Sequence, residues 1–351
     1  MKKLKLLSAS WVVVLILTNS NACVFAQKNA VKPLKPDELN HLVNTMSRLV
    51  EQYYVTLAEG RKMSHLIQHN LKNGVYSKIS DPATLAKRLT KDLRSINGDL
   101  HMNVFYNHPR PKKASNIPRL NYEGEWSNFG LQEARVIAGN VGYLKIKHFT
   151  TWSNFENAKK AVQRTLQPLT NTDALIVDVR DNRGGFEEIV AYLISYFFDS
   201  KRIHLSDYYC RHDGNRSSVW TSPHVPGKKL PKLPLYVLVN KETGSAAESF
   251  AYMLKHLKRA TIIGETTSGA GNGASYHTIG DRFAINIACQ QTINAITKTS
   301  FERVGVIPHI KTPGNDAFTR GYLEALKHLK QHNTQKVHPS HYEKLIQQNQ
   351  H

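Results

Sequence analysis

Ser245 lies at a junction in "LYVLVNKETGSAAESFAYML", where an apolar strand pattern ends and a helical pattern begins. Glu248 follows three residues later, and this Ser-x-x-Glu spacing is typical of a capping box at the start of a helix. The same junction would present a hydroxyl at the edge of a sheet, where α/β proteins hold nucleophiles, and leave the Ala246 amide free to stabilise an oxyanion. From these residues alone, Ser245 is either a helix cap or a nucleophile.

Gly184 and Gly185 follow a second apolar run, in "ALIVDVRDNRGG". Glycine has no side chain, so another group can approach the backbone N–H groups closely. The pair is consistent with an oxyanion donor, a tight turn or a phosphate loop, although the G-x-G-x-x-G and Walker patterns are absent. Asp178 and Arg180 in this stretch are expected to pair and fix the loop.

A serine nucleophile needs a base, and the base needs a carboxylate that orients it. The chain has 17 histidines, so residue type does not select one of them. His101, in "NGDLHMNVFY", lies where a loop enters a strand pattern, and Glu302 lies in "TSFERVGVIPHI". An ordinary surface histidine and a surface ion pair explain the two residues equally well at this point.

Two histidine pairs have the four-residue spacing of metal ligands on a helix: His65 with His69, and His328 with His332. Neither pair has the glutamate of H-E-x-x-H or an evident third ligand. We interpret both pairs as solvated helix faces, and we expect no metal and no other cofactor.

The elements that must position these residues fall into two groups. Apolar residues recur at helical spacing from Asp37 to about Ile96, which predicts a small helical domain over residues 37–97. Beyond it, buried strand patterns alternate with helical patterns, which predicts an α/β domain over residues 98–332. Residues 27–36 are predicted to form a linker, and residues 333–351 a polar, mobile tail.

Residues 1–26 have three lysines, an apolar run and a small-residue exit, which predict a secretory signal peptide cleaved after Ala26. A lipoprotein signal with Cys23 as the lipidated residue is a minor alternative. No second apolar run of membrane length follows, so we expect a secreted or periplasmic protein without an integral membrane span. Cys210 and Cys289 would remain and are able to pair, but two cysteines do not make a disulfide framework.

The formal net charge is +20, from 47 lysines and arginines against 27 acidic residues. This charge raises the question of nucleic-acid binding. The basic residues are spread along the whole chain without a stripe interleaved with aromatics, so we expect no nucleic-acid partner. The charge is better suited to solubility, weak surface binding or capture of anionic substrate ends.

Four stretches occur together in a familiar order: "GNVGYLKIKHF", "ALIVDVRDNRGG", "LYVLVNKETGSAAESFAYML" and "FERVGVIPHI". Their order resembles the tail-specific (C-terminal-processing) serine protease family, especially its branch related to tricorn protease and interphotoreceptor retinoid-binding protein. The resemblance covers about Asp37 to Leu329. It implies an α/β fold, with a crotonase-like core of stacked β-β-α units preceded by a small N-terminal helical domain.

The resemblance also implies roles for individual residues. Ser245 would be the nucleophile, His101 its base and Glu302 the orienting carboxylate. Ala270 stands at the approximate place of the lysine that other members use in a "G-K-G" loop, so a Ser-His-Glu triad is implied rather than a Ser–Lys dyad.

Gly184 or Gly185, with the Ala246 amide, would form the oxyanion hole under the same resemblance. The implied function is a serine peptidase that acts on a peptide or protein substrate. A non-catalytic carrier of a lipid or small apolar ligand on the same fold is the alternative. The oligomeric state stays open.

Overall fold

The computed structural model describes residues 33–106, 127–151, 154–199, 201–332 and 337–349. The expected signal peptide, most of the expected linker and the start of the expected tail lie outside these residues. Within the described ranges, none of the helices combines the length and the apolar character that crossing a membrane requires.

Helices occur at the start of the described chain, between the strands and at its end. The α-helices in the described residues are α1 Pro36–Tyr53, α2 Leu57–Lys72, α3 Pro82–Arg94, α4 Phe155–Leu166, α5 Glu187–Ile194, α6 Ala246–His256, α7 Ala317–His332 and α8 Pro339–Gln348. Short 3₁₀-helices lie at Asn128–Gly130, Gln167–Leu169, Ser195–Phe197 and Gly314–Asp316.

The strands of the described chain form two sheets. In the mainly parallel sheet the order is β11-β8-β7-β4-β3-β2, and only β2 and β3 pair antiparallel. In the antiparallel sheet the order is β1-β10-β5-β6, with β9 also paired to β10. The strands are β1 Asn103–Tyr106, β2 Leu131–Ile137, β3 Val141–Ile146, β4 Ala174–Asp178, β5 His204–Cys210, β6 Arg216–Trp220, β7 Leu235–Val239, β8 Thr261–Gly264, β9 Gly273–Ile279, β10 Phe283–Asn294 and β11 Ile310–Lys311.

Helices cover both faces of the mainly parallel sheet. Leu175 and Val177 of β4 belong to one hydrophobic cluster with residues of α4, α5 and α6. Ala174 and Ile176 of the same strand belong to a second cluster with residues of α7 and α8. Burial on both faces explains why these strands read as continuous apolar runs in the sequence.

The N-terminal helices pack on the antiparallel sheet. Asp81 caps α3 by accepting a hydrogen bond from the Thr84 amide at 2.8 Å, with Pro82 at the first helical position. Buried residues of all three helices share one hydrophobic cluster with Val104 of β1 and Ile285 of β10. The prediction of an α/β fold preceded by a helical region is therefore confirmed.

The prediction of a polar, mobile tail over residues 333–351 is wrong for Pro339–Gln348, which forms α8. Tyr342 is only 1% exposed and packs in the cluster beneath α7, and Leu345 and Ile346 pack against that cluster. These three apolar residues recur at helical spacing inside a polar segment, and the polar residues concealed that pattern.

Cys210 ends β5, and Cys289 lies in the neighbouring strand β10, next to the register partner of Cys210. Both are free thiols in the structure. The possible disulfide between them is therefore not formed here, although the two strands bring the cysteines into the same part of the sheet.

Candidate active site

The glycine loop, residues 179–186, follows β4, and the serine loop, residues 240–245, follows β7. Because β4 and β7 are neighbouring parallel strands, both loops lie at the same edge of the sheet. The Thr243 hydroxyl donates to the Val179 carbonyl at 3.0 Å, and the Gly244 amide donates to the Asn182 carbonyl at 2.9 Å. Ligand sites of α/β sheets form at such carboxyl ends of strands. The two loops predicted from sequence to carry chemistry are therefore held together by hydrogen bonds.

Ser245 has a strained backbone, with φ 52° and ψ −122°, immediately before α6. This left-handed φ is unfavourable for a residue with a Cβ and costs about 1–3 kcal/mol. Gly184 lies against it, since a Cβ added to Gly184 would be 2.6 Å from the Cβ of Ser245. The close approach of the two loops therefore requires a glycine at position 184.

His101 meets this serine from the turn between α3 and β1. Its Nε2 lies 3.2 Å from Ser245 Oγ. Arg94 at the end of α3 fixes the turn by donating to the carbonyls of Leu100 and Met102. Burial lowers the pKa of His101, with Asp99 opposing that change, so the imidazole is neutral and able to accept a proton near pH 7.

Glu302 lies beside this histidine with one oxygen fixed and the other unpaired. Its Oε2 accepts hydrogen bonds from the amides of Gly271 at 2.7 Å and Asn272 at 3.0 Å. Within the described chain, Glu302 Oε1 and His101 Nδ1 are both buried without a hydrogen-bond partner. Burial, followed by the nearby charge of Asp99, raises the pKa of Glu302 to about 7.

Asp99 is a neighbour of His101 that sequence reasoning missed. It is fully buried, accepts a hydrogen bond from the His101 amide at 2.9 Å, and has its Oδ1 4.0 Å from His101 Nδ1. Its Oδ2 accepts from the Tyr54 hydroxyl and the Asn272 side chain, each at 3.0 Å. The Asp-x-His spacing in "GDLH" is the sequence signal that would have pointed to it.

Asp99, His101 and Glu302 each offer a potential metal-ligand atom, and these atoms lie within 4.8 Å of one another. Across the ranges that the structure describes, this is the one such group of three, and the pairs His65 with His69 and His328 with His332 are not part of it. The histidine of the group also contacts Ser245 Oγ, so the cluster has a second explanation as a proton-transfer site.

Glu248 accepts more hydrogen bonds than the predicted capping box requires. The Ser245 amide donates to its Oε2 at 2.9 Å, as that motif predicts. The same buried carboxylate also accepts hydrogen bonds from the Thr267 and Ser268 hydroxyls and from the Gly269 and Ala270 amides. Burial raises the pKa of Glu248, and the accepted hydrogen bonds counteract part of that rise.

The backbone amides around Ser245 differ in whether they already donate a hydrogen bond within the protein. The Gly184 amide donates to Asn182 Oδ1 at 2.9 Å. Gly185 and Ala246, by contrast, line the cleft that contains Ser245, and neither amide has a hydrogen-bond acceptor among the described residues. Gly185 must be glycine, because a Cβ there would lie 1.7 Å from the Phe149 carbonyl oxygen.

The cleft over Ser245 has a volume of about 1130 Å³. One part of its wall holds His101, Gly185, Ser245 and Ala246, and another part comes from α4, α5, the β5–β6 hairpin and the loop after that hairpin. Charged and aromatic side chains of that second part include Glu156, Lys159, Lys160, Tyr192, Trp220 and His224. A cleft of this size accommodates several residues of an extended peptide, and its polar wall is suited to backbone and side-chain hydrogen bonds.

Two family profiles match the chain. One, described as "Peptidase family S41", matches residues 140–312, and the other, described as "N-terminal domain of Peptidase_S41 in eukaryotic IRBP", matches residues 32–127. Carboxyl-terminal-processing peptidase 2, chloroplastic, of Arabidopsis thaliana is 34% identical over 178 residues, which are 49% of this chain and 32% of that protein. The chain spans less than half of the length of the first curated relatives that it matches.

Solved structures show the same fold at low sequence identity. A lipoprotein from Streptococcus agalactiae has a TM-score of 0.55 at 17% identity, and the match covers 84% of this chain and 98% of that one. The tricorn protease has a TM-score of 0.52 at 15% identity, over 81% of this chain and 35% of that one.

Proposed function

Because the chain belongs to peptidase family S41, we propose that it is a serine peptidase that hydrolyses peptide bonds through Ser245, His101 and Glu302. The observation that carries the proposal is the 3.2 Å contact between His101 Nε2 and Ser245 Oγ. The two residues are 144 positions apart in the chain, and the serine has a strained backbone at the edge of a large cleft.

In the proposed first step, Ser245 Oγ attacks the carbonyl carbon of the scissile bond while its proton passes to His101 Nε2. The lowered pKa of His101 supports this role, since the base must be neutral before it accepts the proton. His101 then donates that proton to the leaving amine, and an acyl group remains on Ser245. Water, deprotonated by the same imidazole, releases the acyl group.

Glu302 is proposed to orient the imidazole. A hydrogen bond from His101 Nδ1–H to Glu302 Oε1 would satisfy both unpaired atoms and leave Nε2 free to accept the serine proton. The Gly271 and Asn272 amides support this role by holding the other oxygen of the carboxylate. Contacts of this kind are often long before substrate binds and tighten in the complex.

The proposed oxyanion hole consists of the amides of Gly185 and Ala246. Both residues line the cleft beside Ser245, whereas the Gly184 amide is used by Asn182. Gly184 is therefore proposed to contribute through its missing side chain rather than as a donor. Two N–H groups directed at the developing negative charge would stabilise the tetrahedral intermediate.

A peptide or protein substrate is favoured over a lipid or small apolar ligand. The cleft wall includes charged side chains of Lys159, Lys160 and Glu156 in addition to His101 and Ser245. An apolar carrier would instead need a predominantly hydrophobic enclosure. No metal or other cofactor is required by the proposed steps.

We also propose that the protein is exported and is secreted or periplasmic, because residues 1–26 have the charge and apolar pattern of a signal peptide. N-terminal sequencing of the protein from the exported fraction should begin at Gln27. A chain that keeps Met1 and stays in the cytosol would contradict the export proposal.

Incubation with a peptide library derived from a proteome tests the peptidase proposal, with new termini identified by mass spectrometry. The wild-type protein should generate new termini, and Ser245→Ala should generate none. Ser77→Ala is the matched control, because Ser77 is exposed and its hydroxyl bonds only to the nearby Gly74 carbonyl. Cleavage that persists in Ser245→Ala would exclude Ser245 as the nucleophile.

A further inference from the structure

Glu187 is a half-buried residue in the cleft beside Ser245, and the proposed mechanism does not use its carboxylate. It is the first residue of α5, directly after the glycine loop, and it lines the same cleft as Ser245 and Ala246. Its Oε1 is buried and has no hydrogen-bond partner among the described residues. A buried, unpaired carboxylate oxygen is costly, so its retention requires an explanation.

Among the described residues, the neighbours of Glu187 include hydroxyl groups, and none of the salt bridges involves this carboxylate. Ser249 of α6 and Tyr208 of β5 line the cleft with it, and hydrogen bonding from these two hydroxyls lowers its pKa. Burial is the larger effect and raises the pKa of Glu187 to about 7. None of the groups that shift this pKa is a lysine, arginine or histidine. Within the part of the chain that the structure describes, the carboxylate therefore has no positive partner of the kind that buried acids usually have.

Glu187 lies at a distance from Ser245 that a long substrate side chain would span. Ser249, which lies beside the carboxylate, is one turn of α6 beyond Ser245, and its amide donates to the Ser245 carbonyl at 3.0 Å. One helical turn rises about 5.4 Å. The side chain of an extended lysine, with four C–C bonds and one C–N bond, has a similar length. Its ammonium would therefore reach the Glu187 carboxylate when the carbonyl of that same lysine lies at Ser245.

Glu188 offers a useful comparison, since it is the next residue in the same helical turn. An acidic residue in the first turn of a helix is ordinarily explained by the helix dipole, without any ligand. Glu188 accepts a hydrogen bond from the Thr151 hydroxyl at 3.2 Å, whereas Glu187 Oε1 has no partner among the described residues. The dipole explains an acid at either position but does not explain the unpaired oxygen inside the cleft.

We propose that Glu187 forms the base of a specificity pocket for lysine or arginine, which accepts the side chain of the residue whose carbonyl Ser245 attacks. Tyr208, Ser249 and Thr292 supply the polar wall, and Phe301 packs along the methylene groups of the substrate side chain. The inference rests on the proposed peptidase function and adds the substrate class to it. Cleavage would therefore occur after basic residues.

Two peptidyl diphenyl phosphonates test the pocket in the full chain. They differ only in the side chain at the reacting residue, which is lysine in one and norleucine, without the ammonium, in the other. The rate of covalent modification is measured by intact mass spectrometry. We expect the lysine probe to react about 10-fold faster or more with the wild-type protein, since a charge-assisted hydrogen bond to a buried acid contributes that much.

Glu187→Gln keeps the shape of the side chain and should bring the rate ratio of the two probes close to one. Glu188→Gln, the matched control, should keep the wild-type ratio. Equal rates in the wild-type protein, or an unchanged ratio in a folded Glu187→Gln variant, would overturn the inference. The wild-type ratio decides the question by itself if that variant does not fold.

A small fluorophosphonate without a side chain separates this inference from the proposed function. If the fluorophosphonate modifies Ser245 and lysine has no advantage, only the specificity pocket is contradicted. If the fluorophosphonate leaves Ser245 unmodified, the peptidase proposal fails, and the pocket fails with it.

Discussion

The Ser245 hydroxyl lies 3.2 Å from a histidine, and its backbone has a left-handed φ of 52°. A serine that only caps a helix ordinarily has an extended backbone. The sequence motif Ser-x-x-Glu correctly predicted the hydrogen bond between the Ser245 amide and Glu248. It did not predict the strained backbone, since a capping motif implies an extended backbone at its first residue.

The residues around Ser245 show how far sequence reasoning extends. Residue type and spacing left His101 and Glu302 as two candidates among many, and only the family resemblance selected them. Asp99 and Glu187 were not selected at all. The importance of Asp99 depends on its full burial, and that of Glu187 on a buried oxygen without a hydrogen-bond partner among the described residues, and neither property is visible in a single sequence.

Glu302→Gln should reduce kcat/KM by about 10²–10⁴-fold. The side-chain oxygen can still accept from Gly271 and Asn272, but the new NH₂ group would face His101 Nδ1. The imidazole would then carry its proton on Nε2, where it cannot accept the serine proton. Steady-state kinetics with a cleaved peptide measures the effect, and Glu133→Gln on the exposed strand β2 should leave kcat/KM unchanged.

The same variant should be more stable than the wild-type protein at alkaline pH. Burial raises the pKa of Glu302 from 4.5 to about 7 in the folded state, so its protonated form favours folding. That contribution is fully present below about pH 4.5 and is lost as the pH rises to 7. Thermal unfolding should therefore show a Tm advantage for Glu302→Gln that grows over this range, and an advantage that shrinks instead would contradict the burial of the carboxylate.

At the scale of elements, Glu248 connects the start of α6 to the loop after β8. Its two oxygens accept five hydrogen bonds, from Ser245 at one side and from the loop residues Thr267, Ser268, Gly269 and Ala270 at the other. The next two residues of that loop, Gly271 and Asn272, hold Glu302. The Glu248 carboxylate therefore fixes both the backbone of Ser245, the proposed nucleophile, and the loop that holds Glu302.

Glu248→Gln should lower the free energy of unfolding by about 2–3 kcal/mol, because an NH₂ group would face an amide N–H whichever way the side chain turns. Urea denaturation measures this loss. Glu242→Gln, on the exposed part of the same serine loop, should stay within about 0.5 kcal/mol of the wild-type protein. Equal stabilities of the two variants would show that the Glu248 hydrogen bonds have little energetic weight.

Helices and strands were predictable from sequence where their buried faces produce a regular spacing of apolar residues. Continuous apolar runs predicted β4 and β7, and helical spacing predicted the helical region that α1, α2 and α3 form. The hairpin of β5 and β6 was not assigned from sequence, because its mixed residues have no clear alternation and β6 is largely exposed. That hairpin supplies Tyr208 and Trp220 to the cleft, so part of the site was missed with it.

At the scale of the whole molecule, the candidate site exists only because the helical region docks on the α/β core. His101 lies in the turn between α3 and β1, and β1 pairs with β10 of the antiparallel sheet. Arg211 strengthens the docking by donating to the carbonyls of Glu51, Gln52 and Tyr54 at the end of α1. The sequence predicted both parts of the molecule but could not predict this contact, since it depends on residues far apart in the chain.

We propose that this docking makes Ser245 a nucleophile with His101 as its base. The most direct measurement is the rate of modification by a fluorophosphonate, with the adduct located by peptide mapping. We expect an adduct on Ser245, a loss of about 100-fold or more in rate for His101→Gln, and no loss for His69→Gln on the exposed face of α2. An adduct on another residue would exclude Ser245 as the nucleophile, and a His101→Gln variant that reacts at the wild-type rate would exclude His101 as its base.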